Sequence, residues 1–433
     1  MAEILPIKAW RYHENLREQI EDLTSPLFDV VSTKQREALY NNPLNSIHIS
    51  VPLGDDPAMA AANCLVQWKK DGILVQDRIP GIYVYYQYFR LPGHEGESCR
   101  KGFVAQIKAY DWDENIVLRH ESTIAKAVND RVDLLEATKI QPSATHGLYE
   151  DPLFSLEAYM DKAIEDPIYD LEDYQGVREV MATIQDAKVI SEFLKVINDK
   201  QIILADGHHR YEGAIAYRKS MREANPHHTG NESYNFHMMY FTNALSKNLK
   251  ILPTHRVFMG FRMEEEELLE RISEFFFVKK LNDVEEIEEL ILQKKWAFGL
   301  VIGEHAYKIR LYQEHIDEMP PSIPEVVKNL DLMVLHYFLI DRILGIPLEQ
   351  QRFSDQIAYE RNLGRCIFKT ISGEASFAVI TKDISMNQVL EVCKSGHTMP
   401  QKSTYFYPKT LSGLLFASVE ESEFEFPYQI FQP

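Results

Sequence analysis

The sequence predicts a mixed α/β fold, and three observations predict it. Residues 81–90 (GIYVYYQYFR) are an unbroken run of β-branched and aromatic residues, the composition of a strand. Residues 58–71 carry their apolar groups at helical spacing just after Pro57. Residues 201–205 (QIILA) form a short apolar run of buried-strand type that leads through a glycine into a helical pattern over 211–222.

The remaining elements follow in order. Residues 46–51 (SIHISV) alternate and read as a strand running into Pro52. A second strand over 103–110 is separated from the first aromatic one by residues 91–100, where Pro92, Gly93 and Gly96 predict a hairpin loop. Helical patterns cover 124–137, 156–165 and 177–198. Strands are expected over 236–242 and around Leu252. Residues 263–294 are rich in Glu, Leu and Ile at helical spacing, with a strand at 275–279. Residues 296–311 read as two strands across Gly303-Glu304, 331–344 as a helix with an apolar stripe, and 377–380 and 414–418 as strands. There is no internal repeat. The organisation expected is an N-terminal α/β region over 1–145, a region over 146–260 that completes the core with it, and a C-terminal α/β region over 261–433.

Composition narrows the function. The chain has 433 residues with 46 Lys+Arg against 65 Asp+Glu, a formal charge of −19. Such a surface repels nucleic acid and anionic membranes unless a basic patch overrides it, and no Lys/Arg block does so. No apolar run reaches the roughly 18–20 residues that span a bilayer. The opening residues lack a basic stretch followed by an apolar one, so no signal peptide is expected. Cys64, Cys99, Cys366 and Cys393 lie far apart, which suits free thiols in a reducing compartment and argues against a zinc site built on cysteines. The expectation is a cytoplasmic protein whose partners are small molecules, with no nucleic acid and no membrane. The oligomeric state is open.

The densest chemistry is Asp206-Gly207-His208-His209-Arg210. A strand delivers the chain to Asp206, and Gly207 permits an unusual backbone angle or the close approach of a ligand. The next residues begin a helix, whose first N–H groups lack intrahelical partners and whose dipole end is positive, so a phosphate suits the position. His208, His209 and Arg210 add donors, and a guanidinium can grip phosphate in a bidentate way. Asp206 could order a histidine, cap the helix or support Mg²⁺ indirectly. Adjacent histidines point about 100° apart on a helix, so a metal site built on them is not expected.

Three further stretches carry reactive side chains. In Arg119-His120-Glu121-Ser122-Thr123, with Lys126 and Arg131 beyond, either the charges lie on a solvated helix face or His120 or Glu121 is a general acid or base beside anion-binding groups. Thr254-His255-Arg256 offers a hydroxyl, an imidazole and a guanidinium, for phosphate contact or for loop packing. Residues 399–413 set Lys402, Ser403, Thr404 and Lys409 around aromatic residues, either a clamp for a nucleotide base or a buried aromatic strand with polar flanks. No P-loop, GxGxxG, GxSxG or kinase-type set is present.

These residues carry a resemblance. Ala205-Asp206-Gly207-His208-His209-Arg210-Tyr211 resembles the signature of the bacterial family known as domain of unknown function 1015. The resemblance extends to His120-Glu121 with Thr123 and Arg131, to Leu148-Tyr149, to Pro253-Thr254-His255-Arg256 and to the segment from Met399-Pro400 through Lys409. At Ser25-Pro26-Leu27-Phe28-Asp29-Val30-Val31 the family's Pro-Pro-Tyr-Asp-Val-Ile loses a proline and a tyrosine hydroxyl, and those two positions receive no role. The Gly-His-His-Arg core is also similar to the nucleotide-phosphate motif of the ParB/sulfiredoxin-like superfamily, which includes a nucleotide hydrolase, a sulfinic acid reductase and free-serine kinases. The resemblance implies a ParB/sulfiredoxin-like core with large N- and C-terminal elaborations. It implies phosphate binding by Gly207, His208, His209 and Arg210; Lys402, Ser403 and Thr404 are read as completing a site for ATP or ADP, with Mg²⁺ alongside. The function expected is phosphoryl transfer involving a small hydroxylated metabolite, best serine or phosphoserine, with Glu121, His120 and Asp206 read as catalytic and Lys126, Arg131, Thr254, His255 and Arg256 on the substrate. The alternative is a nucleotide-binding regulatory protein without turnover.

Overall fold

In a strand, successive side chains point to opposite faces, so a strand that is apolar at every position needs cover on both sides. Residues 82–89 and 236–243 come close to this, broken by Gln87 in the first and by His237, Thr242 and Asn243 in the second. In the computed structural model, which describes residues 2–91 and 95–426, they lie inside one nine-stranded sheet. Its members are β1 (Ile4–Leu5), β2 (Ile82–Phe89), β3 (Ser98–Lys108), β4 (Val117–Arg119), β5 (Thr145–Tyr149), β6 (Tyr169–Glu172), β7 (Arg178–Ile184), β8 (Ile202–Asp206) and β9 (Phe236–Asn243). The order is β4-β8-β5-β9-β3-β2-β7-β6, with β1 also on β3. β5 runs parallel to β9, and from β9 to β6 every pairing is antiparallel.

The two faces carry separate cores. Ile82, Val84, Phe103, Ile107, Leu204 and Phe241 point to one, against Phe193 and Ile197 of helix Ala187–Asn198 and Tyr211 and Ile215 of helix His208–Ala224. Tyr83, Tyr85, Val104, Met238 and Tyr240 point to the other, under Leu65 and Trp68 of helix Pro57–Lys70 and under Leu411 and Leu414–Ala417. Label these helices in chain order α1 (Pro57–Lys70), α2 (Ala125–Thr138), α3 (Ala187–Asn198) and α4 (His208–Ala224). α1 is capped by the Asp56 carboxylate with Pro57 in the first turn, and α3 by Asp186.

The chain divides into two units. The first holds Met1–Leu118, Thr123–Lys250 and Pro408–Pro433, and the second Arg119–Ser122 and Ile251–Tyr407. The second unit has a six-stranded antiparallel sheet of β10 (His255–Phe258), β11 (Phe276–Lys280), β12 (Ala297–Ile302), β13 (His305–Leu311), β14 (Ile357–Glu360) and β15 (Phe377–Ile380). Its order is β11-β13-β12-β15-β10-β14. Val257, Ile287, Ala297, Val301, Cys366 and Ala378 form its core. Residues Leu335–Ile343 are π-helical.

The mixed α/β class holds, with local corrections. Residues 46–51 are not a strand: Ile47–Ser50 is one helical turn. The Asn45 side chain accepts from the Ile47 N–H at 2.9 Å and donates to Asp22 O and Thr24 O, and this local bonding overrides the alternation. Residues 177–198 split into strand β7 and helix α3, because Arg178–Ile184 finds a partner in β2 along its length. The expected helix over 331–344 begins as α-helix at Asp331–Val334 and continues as π-helix. The loop expected over 91–100 falls partly on 92–94, outside the described residues, and β3 already begins at Ser98. Among the described residues no helix is long and apolar enough to cross a membrane.

Candidate functional site

β8 ends at Asp206, and α4 begins two residues later at His208. The turn between them is one residue, Gly207, at φ +89°. A Cβ there would stand 2.6 Å from Thr145 Cγ2 and 2.8 Å from Arg210 Nη2, so both the angle and the space require glycine. No side chain caps α4, whose start is thus left to its own backbone donors.

Asp206 and Arg210 fold back on each other. Arg210 Nη2 donates to Asp206 Oδ2 at 3.1 Å, and Nη1 donates to Ser143 Oγ at 3.0 Å and Ala144 O at 2.6 Å. The other carboxylate oxygen, Oδ1, accepts from the Lys409 ammonium. Burial alone would raise the Asp206 pKa, but Lys409 and Arg210 hold it well below the usual aspartate range. Lys409 is fixed in turn by the sheet. Gln87 Nε2 donates to Lys409 O at 3.0 Å and to Glu179 Oε1 at 3.0 Å, and Arg100 donates to Pro408 O and Gln87 Oε1. Glu179 is fully buried, and burial pushes its carboxyl up to about 8. His146, next to Asp206 across the β5–β8 pair, bonds Thr242 Oγ1 at 2.7 Å and is held neutral by burial and by Arg100.

The two histidines of the motif do different things. His208 is 5 % exposed in the first turn of α4. His209 Nε2 accepts the backbone N–H of Ile124 at 3.0 Å, which makes Nε2 the unprotonated nitrogen and ties α4 to the residue just before α2. Further along, Gly213 lets the helices approach: a Cβ there would stand 3.3 Å from Arg131 Cβ. The consequence is that Arg131 on α2 lines the same cavity as Arg210 on α4, with Phe28, Leu134, Ser143 and His237.

This cavity, of about 40 Å³, has room for a few waters or one phosphate-sized group. Arg131 Nη1 donates to Ser50 O at 3.0 Å and the guanidinium lies 4.5 Å from the Phe28 ring centre. Burial, with Arg210 adding to it, brings its pKa down to about 10. The Nε–H groups of Arg131 and Arg210 and Nδ1 of His237 are buried with no protein partner. Buried polar groups are ordinarily satisfied, and two guanidinium groups facing one cavity call for an anion.

The other residues singled out by sequence lie elsewhere. Lys126 is exposed in the first turn of α2. In the second unit, His120 Nε2 bonds Thr404 Oγ1 at 2.7 Å, and Glu121 Oε1 accepts the Lys402 N–H at 3.2 Å. Ser403 is buried with its hydroxyl on Pro400 O, while Lys402 sits at φ +55° and is exposed. His255 Nδ1 accepts the Thr381 N–H at 3.2 Å, Thr254 O accepts from Thr381 Oγ1 at 3.0 Å, and Arg256 is fully buried. So the structure gathers Asp206, Gly207, Arg210 and Arg131 in one unit, and His120, Glu121, Lys402, Thr404 and Arg256 in the other. Sequence reasoning gave no separate role to Lys409, Ser143, His146, Gln87 or Arg100. Only Lys409 left a signal, as one of the two lysines in the aromatic stretch 399–413.

Magnesium does not fit the residues at the helix start. Asp206 is the carboxylate there, and each of its oxygens already holds a cation. Among the described residues no group of three His, Cys, Asp or Glu side chains is placed to hold a metal ion.

Comparison with known proteins places the chain. No curated protein matches it in sequence. Three solved structures share a distant likeness. A free serine kinase in complex with AMP is 15% identical with a TM-score of 0.38, over 73% of this chain and 92% of that one. A conserved hypothetical protein from Pyrococcus furiosus is 14% identical with a TM-score of 0.36, over 72% and 95%. SbnI with a C-terminal truncation, from Staphylococcus aureus, is 10% identical with a TM-score of 0.34, over 71% and 85%. The model of the family described as "Protein of unknown function (DUF1015)" matches residues 4–333, and the chain belongs to that family.

Proposed function

We propose that the first unit binds a nucleotide through its phosphate at the start of α4, and that the protein uses it for phosphoryl transfer involving a small hydroxylated metabolite, serine or phosphoserine being the best candidate. One observation carries the reading: Arg131 and Arg210 line one small cavity with an unpartnered Nε–H each. An anion there would relieve the repulsion between two buried cations and satisfy both donors. The cavity admits a phosphate group and not a base, so the rest of a nucleotide stays outside it. The similarity of Gly207-His208-His209-Arg210 to nucleotide-phosphate motifs supports the same reading. Phosphoryl transfer needs mainly positioning and charge stabilisation. Asp206 serves it by fixing Arg210 and Lys409, Gly207 by the tight turn, and His209 by locking α2 against α4. ATP or ADP is the expected donor, and any Mg²⁺ would arrive with the phosphates, since these residues form no site for it.

A second reading, binding without turnover, has one observation in its favour. Both Asp206 oxygens are engaged, so the motif's carboxylate is not placed to take a proton. The test covers both. Titration of the full chain with ATP, ADP and AMP should give saturable binding that Arg131→Met weakens. Incubation with ADP or ATP plus serine, and with AMP or ADP plus phosphoserine, should yield the transferred product. Binding without product supports the second reading, and no binding of any nucleotide overturns both.

A further inference from the structure

A cavity that the phosphate site does not explain lies within the second unit. Its volume is about 510 Å³, the size of a metabolite pocket. Met333, Leu348 and Met399 give it apolar walls, and His336, Tyr359 and Gln401 the polar side. Directly behind that polar side is Arg256 on β10, fully buried. Its Nη2 donates to His336 Nε2 at 3.2 Å and Gln401 O at 3.1 Å, and the guanidinium lies 5.4 Å from the ring of Tyr359, its cross-strand partner on β14.

Two features of this wall are incomplete. Arg256 makes no ion pair among the described residues; its partners are carbonyls and an imidazole, and its Nε is buried without one. A buried cation with only neutral partners is expensive to keep, and burial brings its pKa down to about 10. The Tyr359 hydroxyl is likewise buried with no acceptor. His336 does not supply the missing charge. It accepts from Arg256 at Nε2, so Nδ1 carries the proton and donates to Gln351 Oε1 at 2.6 Å, and burial holds the ring neutral. The polar side therefore presents the buried Arg256 guanidinium, which feels Glu121 without an ion pair to it, and one hydroxyl in need of an acceptor; exposed Glu349 and Arg352 also line the cavity, and an apolar surface lies opposite.

We infer that this cavity binds a small monocarboxylate with an apolar body, the carboxylate accepting from Tyr359 Oη in the field of Arg256. A phosphate is a poorer match beside Arg256, since the Tyr359 hydroxyl is the one buried donor of the lining side chains left without a partner, and a phosphate takes several. Every residue used lies in the second unit, so the inference stands apart from the nucleotide reading.

The probe is hexanoate, with hexanamide as its neutral isostere, followed by ligand-observed NMR on the full chain. Hexanoate should bind saturably and hexanamide about tenfold more weakly or less. Tyr359→Phe should weaken hexanoate several-fold, and Met333→Trp, which fills the cavity, should abolish binding, both with a wild-type melting curve. Absence of hexanoate binding, equal binding of the amide, or unchanged binding in a folded Met333→Trp variant overturns the inference. Should Met333→Trp fail to fold, Tyr359→Phe with a wild-type melting curve decides: unchanged affinity overturns it.

Discussion

The ammonium group of Lys409 rests on Oδ1 of Asp206, 203 residues earlier in the chain, while Arg210 takes Oδ2. Two cations that phosphate chemistry would use are thus held in place by a single carboxylate.

Asp206→Asn should uncouple them. A buried ion pair that loses one partner costs about 3–5 kcal/mol. Because the folded Asp206 pKa lies below its unfolded value, its contribution is whole above the ordinary value of about 3.9 and is lost as pH falls below that. The stability gap between wild type and Asp206→Asn, measured by urea unfolding, should be largest at neutral pH and close in acid.

Glu179→Gln should behave in the opposite sense. The folded carboxyl is raised to about 8, so wild type loses stability as pH climbs from the ordinary glutamate range of about 4.3 through 8. The variant has no proton to lose. Its melting temperature should gain on wild type steadily across that window and level off above it.

Gly207→Ala places a side chain at φ +89° against Thr145 and Arg210. Strain of this kind costs about 1–3 kcal/mol before the clash is counted. Urea unfolding should show that loss, and nucleotide titration should show weaker binding, because the atom displaced belongs to the Arg210 guanidinium.

Arg210→Lys keeps the charge and loses the fork. Loss of a charge-assisted hydrogen bond of about 1.5–3 kcal/mol should raise the nucleotide Kd about tenfold or more in calorimetry. Arg131→Met should do the same with little change in unfolding midpoint, since its long apolar chain can still lie on Phe28. Full affinity in both folded variants would remove the cavity from the phosphate site.

What the sequence discloses here is local. The strand, glycine and helix around 206–210 are legible because a run of apolar residues, a φ-permissive glycine and a helical pattern are neighbours in the chain. The same locality explains the failures. Asn45 redirects residues 46–51 through bonds to Asp22 and Thr24, which no alternation of hydropathy reveals. Arg178–Ile184 becomes a strand because β2 offers it an edge, a partner some ninety positions away. Lys409 reads as part of a base clamp within 399–413, and its position is set by Gln87 and Arg100 from a different part of the sheet. Arg131 meets Arg210 only because Gly213 lets two helices close.

The route of the chain also sets a timetable. The first unit's face is closed by Leu411 and Leu414–Ala417, which are translated after the whole of 251–407. At about 5–20 residues per second, the ribosome needs about 10–40 s after making Asp206 before Lys409 is joined to the chain. Through that interval the nascent sheet carries a carboxylate short of one cation and an apolar face short of its last strip, so the first unit can close only once the whole of the second has been translated.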